Sequence, residues 1–138
     1  MQPEEQQKYT FFKDSEVVGL DEEFARKLDL ARKFANIPFE ITSGFRSPEA
    51  NQSTPGAVHD SAHLSGHAVD LRASNDHEIY LILAAGLSVG ITRFGIYVDG
   101  NNVPTHVHLD DMRDDAHVGE VIWIRKEGAP YNSAPTTV

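Results

Sequence analysis

The chain has 138 residues and carries 12 Lys and Arg against 21 Asp and Glu, a formal charge of −9, with no cysteine. That is the size of one domain with one core, and with no basic run longer than two residues the charge excludes the phosphate-neutralising surface that nucleic-acid binding needs. The missing cysteines exclude a thiol nucleophile, a thiolate metal site and a disulfide framework.

Apolar residues make up 40% of the chain, with seven Phe, four Tyr and one Trp, so the composition is globular rather than disordered. The start, Met1-Gln2-Pro3-Glu4-Glu5, has neither the basic nor the apolar region of a secretory signal. The longest apolar stretch, over 79–89, is too short to span a bilayer. The expectation is therefore a protein made in the cytoplasm, without membrane insertion. Nothing in the sequence calls for more than a monomer.

In chain order, residues 1–15 are polar and read as a loose arm. Residues 21–36 predict a helix. Asp21 suits the N-cap, Glu22 and Glu23 suit the positive end of the helix dipole, and Phe24, Leu28, Ala31 and Ala35 form one apolar stripe. Pro38 is expected to end it. A short strand around Phe39 and Ile41 leads into a turn over 43–48, and residues 49–60 read as a loop. Residues 68–72 alternate as a strand does. A second helix is predicted from His77 to about Ala85, capped by Asp76 and ended by Gly86. Strands over 95–98 and 106–109 flank a loop over 99–102, a last strand covers 121–124, and the tail from 128 reads as loose. There are no repeats and no interdomain linker. The reading is a single domain over 1–138, of α+β class, with a small, mostly antiparallel sheet and flanking helices.

Two segments carry chemistry: 61–70, with His63, Ser61 and Asp70, and 105–110, with His106, His108 and Asp110. On a strand, residues two apart share a face. His106 and His108 therefore project side by side, either as metal ligands, as one ligand beside one acid/base group, or as plain surface histidines. His63 and Asp70 offer a nitrogen and an oxygen that zinc accepts, and Gly66 permits a tight turn between them. Two histidines and a carboxylate, with a further position left for water, is the pattern of catalytic rather than structural zinc. His67 is expected to face solvent, His77 and His117 the surface, and Trp123 the core.

Taken together, these segments resemble the D-alanyl-D-alanine carboxypeptidase-like zinc peptidases of the hedgehog/DD-peptidase fold, which include phage L-alanyl-D-glutamate endolysins. The turn Ser43-Gly44-Phe45-Arg46-Ser47-Pro48 resembles that family's Ser-Gly-aromatic-Arg-Ser-Pro turn. Ser61-x-His63-x-x-Gly66-x-Ala68-x-Asp70 matches its central signature at every fixed position, and Gly95-Ile96-Tyr97 and Val107-His108-Leu109-Asp110 resemble its later motifs. The resemblance covers roughly residues 20–112. It implies zinc ligands at His63, Asp70 and His108, a substrate or oxyanion role for Arg46, and a substrate-binding role for Ser61.

Many members place an acidic general base three residues before the last histidine ligand. Here Thr105 stands there, and a hydroxyl cannot take a proton at neutral pH. His106 is assigned the role instead, since an imidazole titrates near neutrality. Asp110 is the candidate to orient an imidazole from behind. The expected function is zinc-dependent hydrolysis of peptidoglycan stem or cross-link peptides, by L-alanyl-D-glutamate endopeptidase or D-Ala-D-Ala carboxypeptidase action. The compact chain favours the endopeptidase of a phage-type lysis enzyme, which reaches the wall after release or delivery. The alternatives are a non-catalytic zinc-containing module that binds cell wall or protein, and a cupin-like metal barrel. The second is disfavoured by the helix over 21–36 and by Met112 and Arg113 where that motif places a glutamate.

Overall fold

The computed structural model describes residues 8–47, 49, 62–115 and 117–127. Among these are helices α1 (Glu22–Ala35) and α2 (Asp76–Ser88) and strands β1 (Ile41–Ser43), β2 (Ala68–Arg72), β3 (Arg93–Val98), β4 (Pro104–Asp110) and β5 (Val121–Lys126). The five strands form one sheet in the order β1-β2-β4-β3-β5. Every neighbouring pair is antiparallel except β3 and β5, which run parallel. The α+β class is as expected, with a mixed edge.

Helix α1 starts where Asp21 Oδ2 accepts the Phe24 N–H at 3.0 Å. It buries Phe24, Ala25, Leu28, Ala31 and Ala35 on one stripe. It stops before Pro38 is reached, because Asn36 turns left-handed (φ 57°) and its N–H bonds back to Arg32 O, a residue type that tolerates that conformation. Helix α2 is capped by Asn75, whose side chain accepts from Glu78 N, rather than by Asp76. It also runs past Gly86 instead of ending there. Gly86 serves packing: a Cβ on it would lie 2.6 Å from Phe94 Cε1. The missing side chain lets the helix close onto the sheet.

The sheet has two unlike faces. Val69, Leu71, Phe94, Val107 and Leu109 are buried against α1 and α2 in the core. Truncating a buried Phe such as Phe24 or Phe94 to Ala would cost about 3–5 kcal/mol. The residues between them point the other way, and because directly opposed residues share a face, the register builds polar rows there. One row is Asp70, His108, Gly95 and Trp123, and the next is Arg72, His106, Tyr97 and Arg125.

From residue 8 onward the N-terminal stretch differs from the loose arm expected over 1–15, while residues 1–7 lie outside the described residues. Tyr9 and Phe12 are buried in the core, and the Thr10 and Phe11 amides donate to the Asp29 carboxylate at 2.9 and 2.8 Å. Two aromatic side chains in a polar stretch suffice to fasten it. The expected loop over 49–60, of which only residue 49 is described, and the tail from 128 lie outside the described residues.

Candidate active site

The site forms on the polar face of the sheet. Asp70 on β2 and His108 on β4 are directly opposed. His63 reaches them from a 3-10 turn, Ala62–Ser65. Gly66 makes that approach possible. Its φ is +78°, and a Cβ there would lie 2.4 Å from Gly19 O, so only glycine fits. Its carbonyl accepts the Asp21 N–H at 2.9 Å, which ties the turn to the start of α1.

His63 is 2% exposed, and its Nδ1 lies 2.7 Å from Gly44 O. A carbonyl only accepts, so Nδ1 carries a proton, and Nε2 faces Asp70 Oδ1 at 3.3 Å. The His63 carbonyl in turn accepts the Arg46 N–H at 3.1 Å. The two motifs recognised in the sequence thus clasp each other, side chain to backbone and backbone to backbone.

His108 lies between two carboxylates. Its Nε2 donates to Asp110 Oδ2 at 2.6 Å, and its Nδ1 lies 3.0 Å from Asp70 Oδ1. Burial alone would push this imidazole down. Its hydrogen bonds to Asp110 and Asp70, and their charges, outweigh burial and raise its pKa to about 9. Burial alone would likewise raise the Asp70 carboxyl, but hydrogen bonds from His108 and His63 and their charges hold it far below the usual carboxylate range. Asp110 is 1% exposed. Its other oxygen lies 2.9 Å from Arg93 Nε and accepts the Met112 N–H at 3.1 Å.

The donor atoms of His63, Asp70 and His108 all lie within 4.8 Å of one another. Both imidazoles have their outer nitrogens bonded to oxygen acceptors, which leaves the inner nitrogens facing Asp70. Two nitrogens and one carboxylate oxygen are hard-to-borderline donors, so the set fits a divalent cation.

His106 is not in this group but stands beside it. Its Nε2 is 4.0 Å from Asp70 Oδ2 and its Nδ1 is 3.1 Å from Glu127 Oε1. The ring stacks on Tyr97, centroids 4.5 Å apart and planes 10° apart. The half-buried Arg46 also addresses the site. Burial lowers its pKa, and the charges of Asp70 and Tyr97 oppose that shift.

Trp123 is not a core residue. Its register beside Gly95 places it on the site face, where its ring centroid is 5.4 Å from that of His108. A Cβ at Gly95 would come 2.6 Å from the indole, so glycine gives the ring its place over β3. The indole N–H donates to the Tyr97 hydroxyl at 3.2 Å, and the Arg93 guanidinium covers the ring at 5.3 Å. Of the other histidines, His117 is buried against Asp114, 2.8 Å away, not on the surface as expected. His67 is partly exposed and pairs with Asp111 at 3.0 Å. Ser61 lies outside the described residues.

Sequence reading missed Glu127, Arg93 and the position of Trp123. The one available signal was period 2 along β5, and it acquires meaning only once β5 is known to pair with β3.

Fold and site together place a His-Asp-His group, with the donor geometry a metal ion accepts, on the polar face of an α+β sheet. The family profile described as Peptidase M15 matches residues 4–110. The chain belongs to the Peptidase M15 family and is a peptidase. No curated protein matches it. Among solved structures it is similar to the L-Ala D-Glu endopeptidase ChiX of Serratia marcescens, with a TM-score of 0.50 and 20% identity, over 78% of this chain and 93% of that one. At that identity the likeness establishes the fold. No helix among the described residues is long and apolar enough to cross a membrane.

Proposed function

We propose that this protein is a zinc-dependent endopeptidase that cuts peptidoglycan stem peptides between L-Ala and D-Glu. The observation that carries the proposal is the convergence of His63, Asp70 and His108 with His106 beside them on an open polar face. Membership of the Peptidase M15 family and the named activity of the similar Serratia protein support the substrate class.

His63 Nε2, an Asp70 oxygen and His108 Nδ1 would hold the zinc. Bound zinc supplies Lewis acidity, which lowers the pKa of water to about 7 and polarises a carbonyl. His106 accepts a proton from the attacking water at Nε2 and returns it to the leaving amine nitrogen. Arg46 keeps its positive charge at any working pH and offsets the negative charge that develops on the carbonyl oxygen. Tyr97 stacks on the His106 ring and fixes its plane, and Trp123 stands beside His108.

The test is a digest of purified peptidoglycan by zinc-loaded protein, read by mass spectrometry beside a chelator-treated control. Chelator-sensitive fragments with a new D-Glu amine support the proposal. Release of free D-Ala would assign carboxypeptidase action instead. The absence of products from protein shown to hold zinc would transfer the reading to a binding module.

A further inference from the structure

His106 has a second carboxylate partner that no recognised motif contains. Glu127 follows β5 directly, and its N–H donates to Val98 O at 2.7 Å, which anchors it beside the end of β3. Its Oε1 lies 3.1 Å from His106 Nδ1. The family match ends at residue 110, so this carboxylate comes from outside the matched segment. Within that segment, the position where many relatives carry an acid holds Thr105.

We infer that Glu127 is a positioning residue that holds His106 in the Nδ1–H tautomer with Nε2 facing the metal-binding group. The inference rests on the peptidase reading above and deepens it. The chemistry around Nδ1 is one-sided. A carboxylate oxygen only accepts. The Thr105 hydroxyl, also 3.1 Å from Nδ1, spends its hydrogen on Tyr97 O at 3.2 Å and so presents a lone pair as well. Both neighbours require a proton on Nδ1, and a neutral imidazole then has its lone pair on Nε2. That nitrogen is the one 4.0 Å from Asp70 Oδ2. Stacking on Tyr97 fixes the ring plane, but a stacked ring can still flip by a half-turn. Glu127 distinguishes the two flips, because only one places a donor before it. Glu127 is itself half exposed, so it orients the ring without being part of the core.

The experiment compares wild type, Glu127→Ala and Glu127→Gln as full-length zinc-loaded protein. The probe is a peptide containing an L-Ala–γ-D-Glu bond, and zinc content is measured on each sample. The expected result for Glu127→Ala is a kcat lower by about 10- to 100-fold, the range for loss of a partner that orients an imidazole, with KM and zinc content unchanged. Glu127→Gln keeps an oxygen acceptor and should recover part of the loss. Long-range proton–nitrogen NMR of the His106 ring should show one Nδ1–H tautomer in wild type and a mixture in Glu127→Ala. A Glu127→Ala enzyme with wild-type kcat, or an unchanged His106 tautomer, would overturn the inference. If wild type cleaves no peptide, the peptidase reading fails, and the NMR comparison still decides the Glu127–His106 pairing.

Discussion

Asp110 Oδ2 stands 2.6 Å from His108 Nε2, a short hydrogen bond made by a carboxylate that is 1% exposed. A buried carboxylate opposite a metal-facing imidazole fixes the ring and raises its basicity. Asp110→Asn keeps the volume and removes the charge. It should weaken zinc binding by about 10- to 100-fold, measured by competition with a chromogenic chelator. Unchanged affinity would mean that the strand alone positions His108.

The metal-free protein should lose stability on both sides of a mid-acid plateau. Asp70 is held below its unfolded value of about 3.9. Its contribution is present above that pH and is lost as pH falls. His108 is raised from its unfolded value of about 6.5 to about 9. Its contribution is complete below about pH 6.5 and disappears as pH rises through about 9. Chelator-treated protein melted across pH should therefore be most stable between about 4 and 6.5. Zinc affinity should move the opposite way on the alkaline side, rising toward pH 9, because the metal displaces the proton on His108 Nδ1. A flat melting profile from pH 6 to about 9 would remove the imidazolium from the metal-free site.

Gly66→Ala tests why the central motif contains glycine. The substitution meets both a φ of +78° and a backbone oxygen 2.4 Å from the new Cβ. It should destabilise the fold by about 1–3 kcal/mol, and because the turn carries His63, zinc affinity should fall as well. Denaturant melts and zinc titration on one preparation separate the two effects. Gly90→Ala is the control: it also has positive φ, but nothing lies within 4 Å of the added carbon, so it should lose stability without losing zinc affinity.

The parts of this protein written in local pattern were legible in its sequence. The α1 stripe from Phe24 to Ala35, the Asp21 cap, the β2 strand and the polar alternation of His106, His108 and Asp110 all follow from periods of 3.6 and 2. The gathering of His63, Asp70 and His108 became readable only through family resemblance, since neither segment alone says which others it meets. What stayed hidden depends on pairing. Trp123 reads as core in a short apolar run, yet parallel pairing with β3 turns it to the site face, where Gly95 makes room for it. Glu127 shows no pattern at all, since its role follows from where β5 ends. Tyr9 and Phe12 were concealed by polar neighbours, and Gly86 by its usual meaning as a helix stop.

His106→Ala is the substitution that most directly tests the proton transfer. Thr105 provides no acid, Asp70 is committed to His63 and His108, and Asp110 is held by His108 and Arg93. Among the described residues, His106 Nε2 is therefore the base that the geometry leaves beside the centre. Removing it should lower kcat by about 10²- to 10⁴-fold, the range for general acid–base catalysis. The proposed zinc ligands should be untouched, so stoichiometric zinc by elemental analysis is part of the expected result. Tyr97 would lose its stacking partner, so the melting temperature of the variant must be compared with wild type to keep folding apart from chemistry. Full turnover in a zinc-bound, folded His106→Ala protein would require another base and would make Glu127, freed of its histidine partner, the carboxylate to test next.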